Sequence, residues 1–235
     1  MSTEPAGPRA LRAVCSMATA ALLGALLGEY ERQSGQGIEL LSTGGVDAVR
    51  RVTEGEPFDL VVLASDAIER LIGSHRLLAG SRVDLVRSRV AVAVPAGAPH
   101  PDIGSEQALR AAVLAATRIG YSTGPSGTGL LGLLQRWGID EQVRSRMVQA
   151  KPGVPVGRLL ASGEAALGFQ QRSELQGIAG IELLGDLPAA CAIETVFSGA
   201  ICASCGNPVA AGAALSYLHA PDTAPTKRQH GMMPA

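Results

Sequence analysis

Two hydrophobic periods run along this chain. Short, almost wholly apolar runs such as Asp59–Ala64 (DLVVLA) and Val90–Val94 (VAVAV) have the length and content of strands buried on both faces. Longer stretches, in which apolar residues return every three or four positions, read as amphipathic helices. In chain order the pattern predicts strands over Ala10–Cys15, Gly37–Ser42, Asp59–Ala64, Val90–Val94, Arg118–Ser122, Ala166–Gln170, Ile181–Leu184 and Thr195–Cys202. Helices are predicted over Thr19–Ser34, Val46–Thr53, Asp66–Ser74, Ser105–Ala116, Gly129–Trp137, Gly157–Ser162, Gln171–Gln176 and Pro208–His219. Ser105 is the expected N-cap of its helix, and Pro221–Ala235 reads as a polar tail with basic residues. Strand–helix alternation predicts an α/β architecture with parallel sheets and right-handed crossovers.

The N-terminal pattern bears on where the chain acts. Ala13–Leu27 is apolar with Arg9 and Arg12 before it, which imitates an export signal. The stretch is too short to span a membrane. It continues through Gly28-Glu29-Tyr30-Glu31-Arg32 as one amphipathic helix, with no clear cleavage site. An uncleaved, cytoplasmic chain is therefore expected; a periplasmic one follows if this segment serves for export.

Four turns that follow predicted strands concentrate hydroxyls and glycine. They are Ser16-Met17-Ala18-Thr19, Ser42-Thr43-Gly44-Gly45, Ser122–Gly129 (STGPSGTG) and Pro152–Gly157 (PGVPVG). The 29 glycines and 14 prolines fit a fold rich in such tight turns. In open α/β sheets ligands bind where strand ends lead into helices. There the unpaired N–H groups and the helix dipole hold an anion without Lys or Arg. Together the turns predict an anion-binding cleft.

Charge and composition exclude several alternatives. Lys+Arg (20) against Asp+Glu (21) leaves −1, which excludes a strongly basic nucleic-acid binder. Three Phe, three Tyr and one Trp are too few for a base-stacking surface. The Gly124–Gly129 turn has neither the Gly-Lys-Ser/Thr ending of a phosphate loop nor a dinucleotide-binding spacing. No cofactor motif is present, and His75, His100, His219 and His230 form no metal-ligand or nucleophile pattern. Cys202 and Cys205 make a CxxC whose expected role is a strand-to-helix turn, with a redox pair as the alternative. Asp59 and Asp66, flanking a strand, are expected in turn bonding and capping.

The same segments resemble the molybdate-binding proteins of ABC transporters, a branch of the type II periplasmic-binding fold. The resemblance covers nearly the whole chain and is carried by CSMATAALLGALLGEYERQSGQGIEL, STGGVDAVRRVTEGEPFDLVVLASDAIERL, RIGYSTGPSGTGLLGLLQRWGI and PVGRLLASGEAALGFQQRSEL. It also takes in the closing YLHAPDTAPTKRQHGMMPA, and EGEPFDLVVLASD is its most specific piece. It implies a two-lobed fold, residues 1–87 plus 197–235 and residues 88–196, with a ligand cleft between the lobes. Carried over position by position, it implies ligand contacts at Ser16, Ala18 and Thr19, then at Thr43, Gly44 and Gly45. It further implies contacts at Ser126, Gly127 and Thr128, at Pro155 and Val156, and at Gln170 and Gln171. The family's clamping tyrosine falls at Gln171, beside Gln170, and the donors and acceptors of these amides suit a carboxylate or hydroxy-acid better than a bare tetrahedral oxyanion. The implied partner is a small anionic ligand, without nucleic acid or membrane insertion, and with an ABC permease only if the chain is exported. Binding of an oxyanion or organic acid is thus the main expectation. Family relatives such as aconitate isomerase imply an alternative, cofactor-free isomerisation of an unsaturated carboxylic acid. That chemistry needs a base, for which Glu174 and Glu194 are the candidates.

Overall fold

The computed structural model describes residues 9–235, which fall into two compact units. Unit 1 runs to Leu85 and resumes over Phe197–Lys227; unit 2 comprises Val86–Val196 and Arg228–Ala235. Unit 1 opens with β1 (Leu11–Ser16), α1 (Met17–Ser34), β2 (Ile38–Thr43), α2 (Gly45–Thr53), β3 (Leu60–Ala64) and α3 (Ser65–Gly73). The long strand β4 (Val83–Pro95) begins in unit 1 and carries the chain into unit 2. There follow α4 (Glu106–Ala115), β5 (Ile119–Tyr121), α5 (Pro125–Arg136), α6 (Asp140–Val143) and β6 (Met147–Gln149). Next come α7 (Val156–Ala161), β7 (Leu167–Gln171), α8 (Arg172–Leu175) and β8 (Ile181–Asp186). Strand β9 (Glu194–Ile201) returns to unit 1, where α9 (Pro208–His219) and α10 (Ala224–Gln229) follow, and β10 (Met232–Pro234) closes the chain in unit 2.

In unit 1, β1 pairs in parallel with β2 (Leu11↔Ile38) and with β3 (Ala13↔Leu60), while β9 lies antiparallel on β3 (Leu60↔Ile201). Every residue of β3 is buried, as its unbroken apolar run requires. Val14, Val61, Leu63, Phe58 and Ile68 fill one face of this sheet; Leu11, Ala13, Leu60, Ile201 and Leu215 fill the other. Helix α1 contributes Leu22, Leu23, Leu26, Leu27 and Tyr30 and stops at Gly35, left-handed at φ 72°, whose N–H donates to the Glu31 carbonyl. Asp59 opens β3 and is nearly enclosed. Its carboxylate accepts from the Arg9 guanidinium and the Arg12 N–H at 2.9 Å each, the turn bonding expected of it. Asp66 instead lies on the surface, paired with Arg70 at 2.8 Å.

In unit 2, β5 sits in parallel between β6 (Gly120↔Val148) and β7 (Gly120↔Gly168). Strand β4 runs antiparallel to β7 (Val92↔Phe169), to β8 (Val94↔Glu182) and to β10 (Met232↔Ser88). Val92, Leu109, Ile119, Leu130, Leu133 and Phe169 form the main core. Ser105 caps α4, accepting from the Ala108 N–H at 3.1 Å.

The structure corrects several sequence expectations. Neither sheet is purely parallel, because β9, β4, β8 and β10 run against their neighbours. Strand β4 is 13 residues long, eight more than the apolar run Val90–Val94 reveals, since exposed Arg87 and Arg89 alternate with buried positions at its start. The predicted polar tail is ordered structure: a 3-10 turn over Pro221–Thr223, then α10 and β10. Residues 228–235, expected with the first lobe, lie in unit 2 because β10 pairs with β4 there.

Candidate functional site

Three turns of unit 1 leave the carboxyl ends of parallel strands, and two of them hold expected ligand residues. Ser16 ends β1 and stands at the N-cap of α1 without capping it; its buried Oγ has no hydrogen-bond partner. Thr19 is buried and turns its hydroxyl back to the Ser16 carbonyl at 3.2 Å, while Ala18 packs into the core. At the end of β2, Thr43 donates to Asp47 Oδ2 at 2.9 Å, and Asp47 is also held by Arg50 and Arg51. Those bonds hold the Asp47 carboxyl below the usual range, Arg50 foremost. Gly44 caps α2, and a Cβ added at Gly45 would meet open space. Ser16 Oγ is thus the one side-chain group in these two turns that is enclosed and still lacks a partner among the described residues.

In unit 2 the turns after β5, β6 and β7 leave the same end of three hydrogen-bonded parallel strands. After β5, the Ser122 and Ser126 hydroxyls pair at 2.8 Å, and Ser122 Oγ also accepts from the Gly124 N–H at 3.2 Å. The glycines here are fixed by packing. A Cβ at Gly127 would stand 1.8 Å from the Ser122 carbonyl oxygen, and one at Gly129 would stand 2.5 Å from Ile193. Thr128 is exposed, with its hydroxyl turned to the Gly124 carbonyl at 3.5 Å. Helix α5 therefore begins four residues before the predicted Gly129, inside the turn, with Pro125 as its first residue.

The segment after β7 holds the most unusual chemistry. Pro155 precedes α7, and the buried Val156 N–H donates to Gln170 Oε1 at 2.6 Å. The same amide donates from Nε2 to Glu174 Oε1 at 2.8 Å. Both ends of Gln170 are thus occupied by protein groups. Gln171, on the opposite face of the strand, donates from Nε2 to Thr195 Oγ1 at 2.8 Å, and its buried Oε1 has no partner. Ser173 Oγ is likewise buried and unpartnered. Burial pushes the Glu174 carboxyl up to about 7, against the opposing hydrogen bond from Gln170. Arg172, beside it on α8, is committed to Asp186 at 2.8 Å. Glu194, the other carboxylate singled out from sequence, forms a surface ion pair with Arg89 at 3.4 Å. Sequence reasoning missed Ser173 and Thr195. A lone serine in a short helix and a threonine at a strand start carry no pattern of their own.

The remaining reactive groups serve structure. All four cysteines are free thiols. Burial pushes the Cys15 thiol up to about 11 and the Cys202 thiol up to about 12, away from the low values of redox-active pairs. Cys205 donates its N–H to the Cys202 carbonyl at 3.0 Å, a tight turn after β9. Among the described residues no group of three or more His, Cys, Asp or Glu is arranged to hold a metal ion. No described helix is long and apolar enough to cross a membrane.

Residues 11–233 match the family model described as bacterial extracellular solute-binding protein. The chain is 37% identical over 187 residues to the aconitate isomerase of a Pseudomonas species, covering 78% of this chain and 70% of that protein. The periplasmic molybdate-binding protein of Azotobacter vinelandii superposes with a TM-score of 0.80 at 21% identity, over 95% of this chain and 98% of that one. A tungstate ABC transporter structure from Geobacter sulfurreducens gives 0.75 at 16% identity, over 94% and 98%. At such identities the likeness establishes the fold alone: a mixed α/β periplasmic-binding-protein fold.

Proposed function

Since the chain belongs to the bacterial extracellular solute-binding protein family, we propose that within it this protein is a cofactor-free isomerase, moving the carbon–carbon double bond of a small unsaturated polycarboxylic acid. The observation that carries this reading is the 37% identity to aconitate isomerase over 78% of the chain. Moving a double bond needs no electron donor. A proton leaves the carbon next to the double bond, the electron pair spreads over the three carbons and the adjoining carboxylate, and a proton returns at the far carbon. Protein groups must hold the carboxylates and shuttle the proton. In unit 2, helix α5 starts beside the buried Ser122–Ser126 hydroxyl pair. Pro125 has no N–H, and the Gly127 and Thr128 N–H groups donate to the Gly124 carbonyl, so the Ser126 N–H and the hydroxyls are the donors this turn can offer a carboxylate.

A receptor that only binds is the second reading, favoured by hydroxyl- and amide-lined turns that suit an oxyanion without chemistry. Proton NMR of the protein with cis-aconitate or trans-aconitate, in buffer containing a chelator, separates the two. Interconversion approaching the same ratio from either isomer is expected. Binding of either acid with both spectra unchanged overturns the isomerase reading in favour of the receptor.

A further inference from the structure

Resting on the isomerase reading, we infer that Glu174 is the group that takes the carbon-bound proton and returns it, and that Gln170 is its positioning residue. Glu174 lies three residues beyond β7, at the strand end from which the turns after β5 and β6 also leave. A relay fixes its carboxylate. The Val156 N–H holds Gln170 Oε1 at 2.6 Å, which leaves Gln170 Nε2 to donate to Glu174 Oε1 at 2.8 Å. The amide cannot turn over without setting its NH2 against a backbone N–H. The relay engages Glu174 Oε1, and Oε2 is assigned to the substrate. Ser173 Oγ, next to Glu174 in the chain, is buried without a partner and is a hydroxyl that can donate to a carboxylate.

The step balances on one residue. The carboxylate takes the proton from the carbon beside the double bond and becomes a carboxylic acid, and the freed pair delocalises towards the substrate's own carboxylate. The acid then returns the proton to the far carbon and is ionised again. A group that both takes and gives a proton works best near the ambient pH, and burial brings Glu174 there. The surrounding charges leave it alone. Arg172 is paired with Asp186, Arg158 of α7 is exposed, and β7 bears no titratable residue. Gln176 Nε2 reaches the Gln229 carbonyl and so brings Arg228 and His230 towards this end of α8, yet burial and Gln170 are the only causes of the Glu174 shift.

The test uses the full chain with cis- and trans-aconitate, followed by NMR in D2O and by calorimetry. Glu174→Gln is expected to bind within about threefold of the wild type while turnover and deuterium uptake fall by about 10²–10⁴-fold. Glu174→Asp, which keeps the acid but withdraws it by one methylene, is expected to retain measurable turnover at a reduced rate. Gln170→Met is expected to move the acidic limb of the kcat profile to higher pH, since the lost hydrogen bond favours the ionised carboxylate; a merely structural glutamine would leave that limb in place. An active wild type whose Glu174→Gln variant keeps more than a tenth of its turnover overturns this assignment alone. An unmoved limb in Gln170→Met overturns the role of Gln170. A wild type that converts neither isomer overturns the isomerase reading and this inference together. Should Glu174→Gln fail to fold, full wild-type turnover in Glu174→Asp overturns the assignment.

Discussion

Ser16 and Glu174 each place a polar group where the fold itself gains nothing from it. Ser16 Oγ is buried without a partner, so Ser16→Ala removes an uncompensated hydroxyl. Urea unfolding is expected to show stability unchanged or raised by up to about 1 kcal/mol. Glu174 has a sharper signature. Its folded-state value of about 7 lies above the ordinary 4.5, so the folded chain binds the proton more tightly than the unfolded chain. Its contribution therefore falls as pH rises from about 4.5 to about 7 and stays low above that. Glu174→Gln keeps the Gln170 bond and removes the charge. It is expected to be more stable than wild type at pH 8 by about 1–3 kcal/mol after allowance for solvent screening, and indistinguishable at pH 4.5. Unfolding curves at the two pH values check the sign. Gly127 acts in the opposite sense, since its absent Cβ would fall 1.8 Å from the Ser122 carbonyl oxygen. Gly127→Ala is expected to cost about 1–3 kcal/mol of stability, measured by the same unfolding curves.

At the scale of elements, the C-terminal strand is as much part of the sheet as the strands before it. Met232 is 1% exposed and pairs with Ser88 on β4. Met232→Ala is expected to destabilise the chain by about 2–4 kcal/mol, read from the shift in its denaturation midpoint. That strand was hidden in the sequence, because three residues that follow Gly231 and end in Pro234 show no period. Strand β6 and helix α6 were hidden for the same reason, at three and four residues. Elements with a sustained apolar face were legible, among them α1, β3, α4 and α9. Strand direction was not: a buried apolar run looks alike whether its neighbour runs with it or against it, and the antiparallel pairings of β9 and β4 depend on residues far away in the chain. In the candidate site, the turns could be located from hydroxyls and glycines beside predicted strand ends. Which groups they leave unpaired could not, because that depends on bonds such as Val156 to Gln170, made across the fold.

For the molecule as a whole, the fold shared with molybdate- and tungstate-binding proteins leaves the ligand open, while the 37% identical relative narrows it. With a net charge of −1, long-range attraction contributes little to capture of an anion, so binding must come from placed groups. A thermal-shift comparison at matched ionic strength is expected to show trans-aconitate raising the melting temperature, by the equivalent of about 2.7 kcal/mol at a hundredfold excess over Kd. Molybdate, sulfate and phosphate are expected to leave it unmoved. The opposite ranking would favour an oxyanion receptor. The glycines of the turns differ in what the fold lets replace them. Position 127 is closed to any side chain by the Ser122 backbone, a Cβ at 129 or 157 would require Ile193 or Ile178 to shift, and position 45 faces open space. A saturation library that must keep the fold should therefore leave position 127 untouched and can vary position 45 freely.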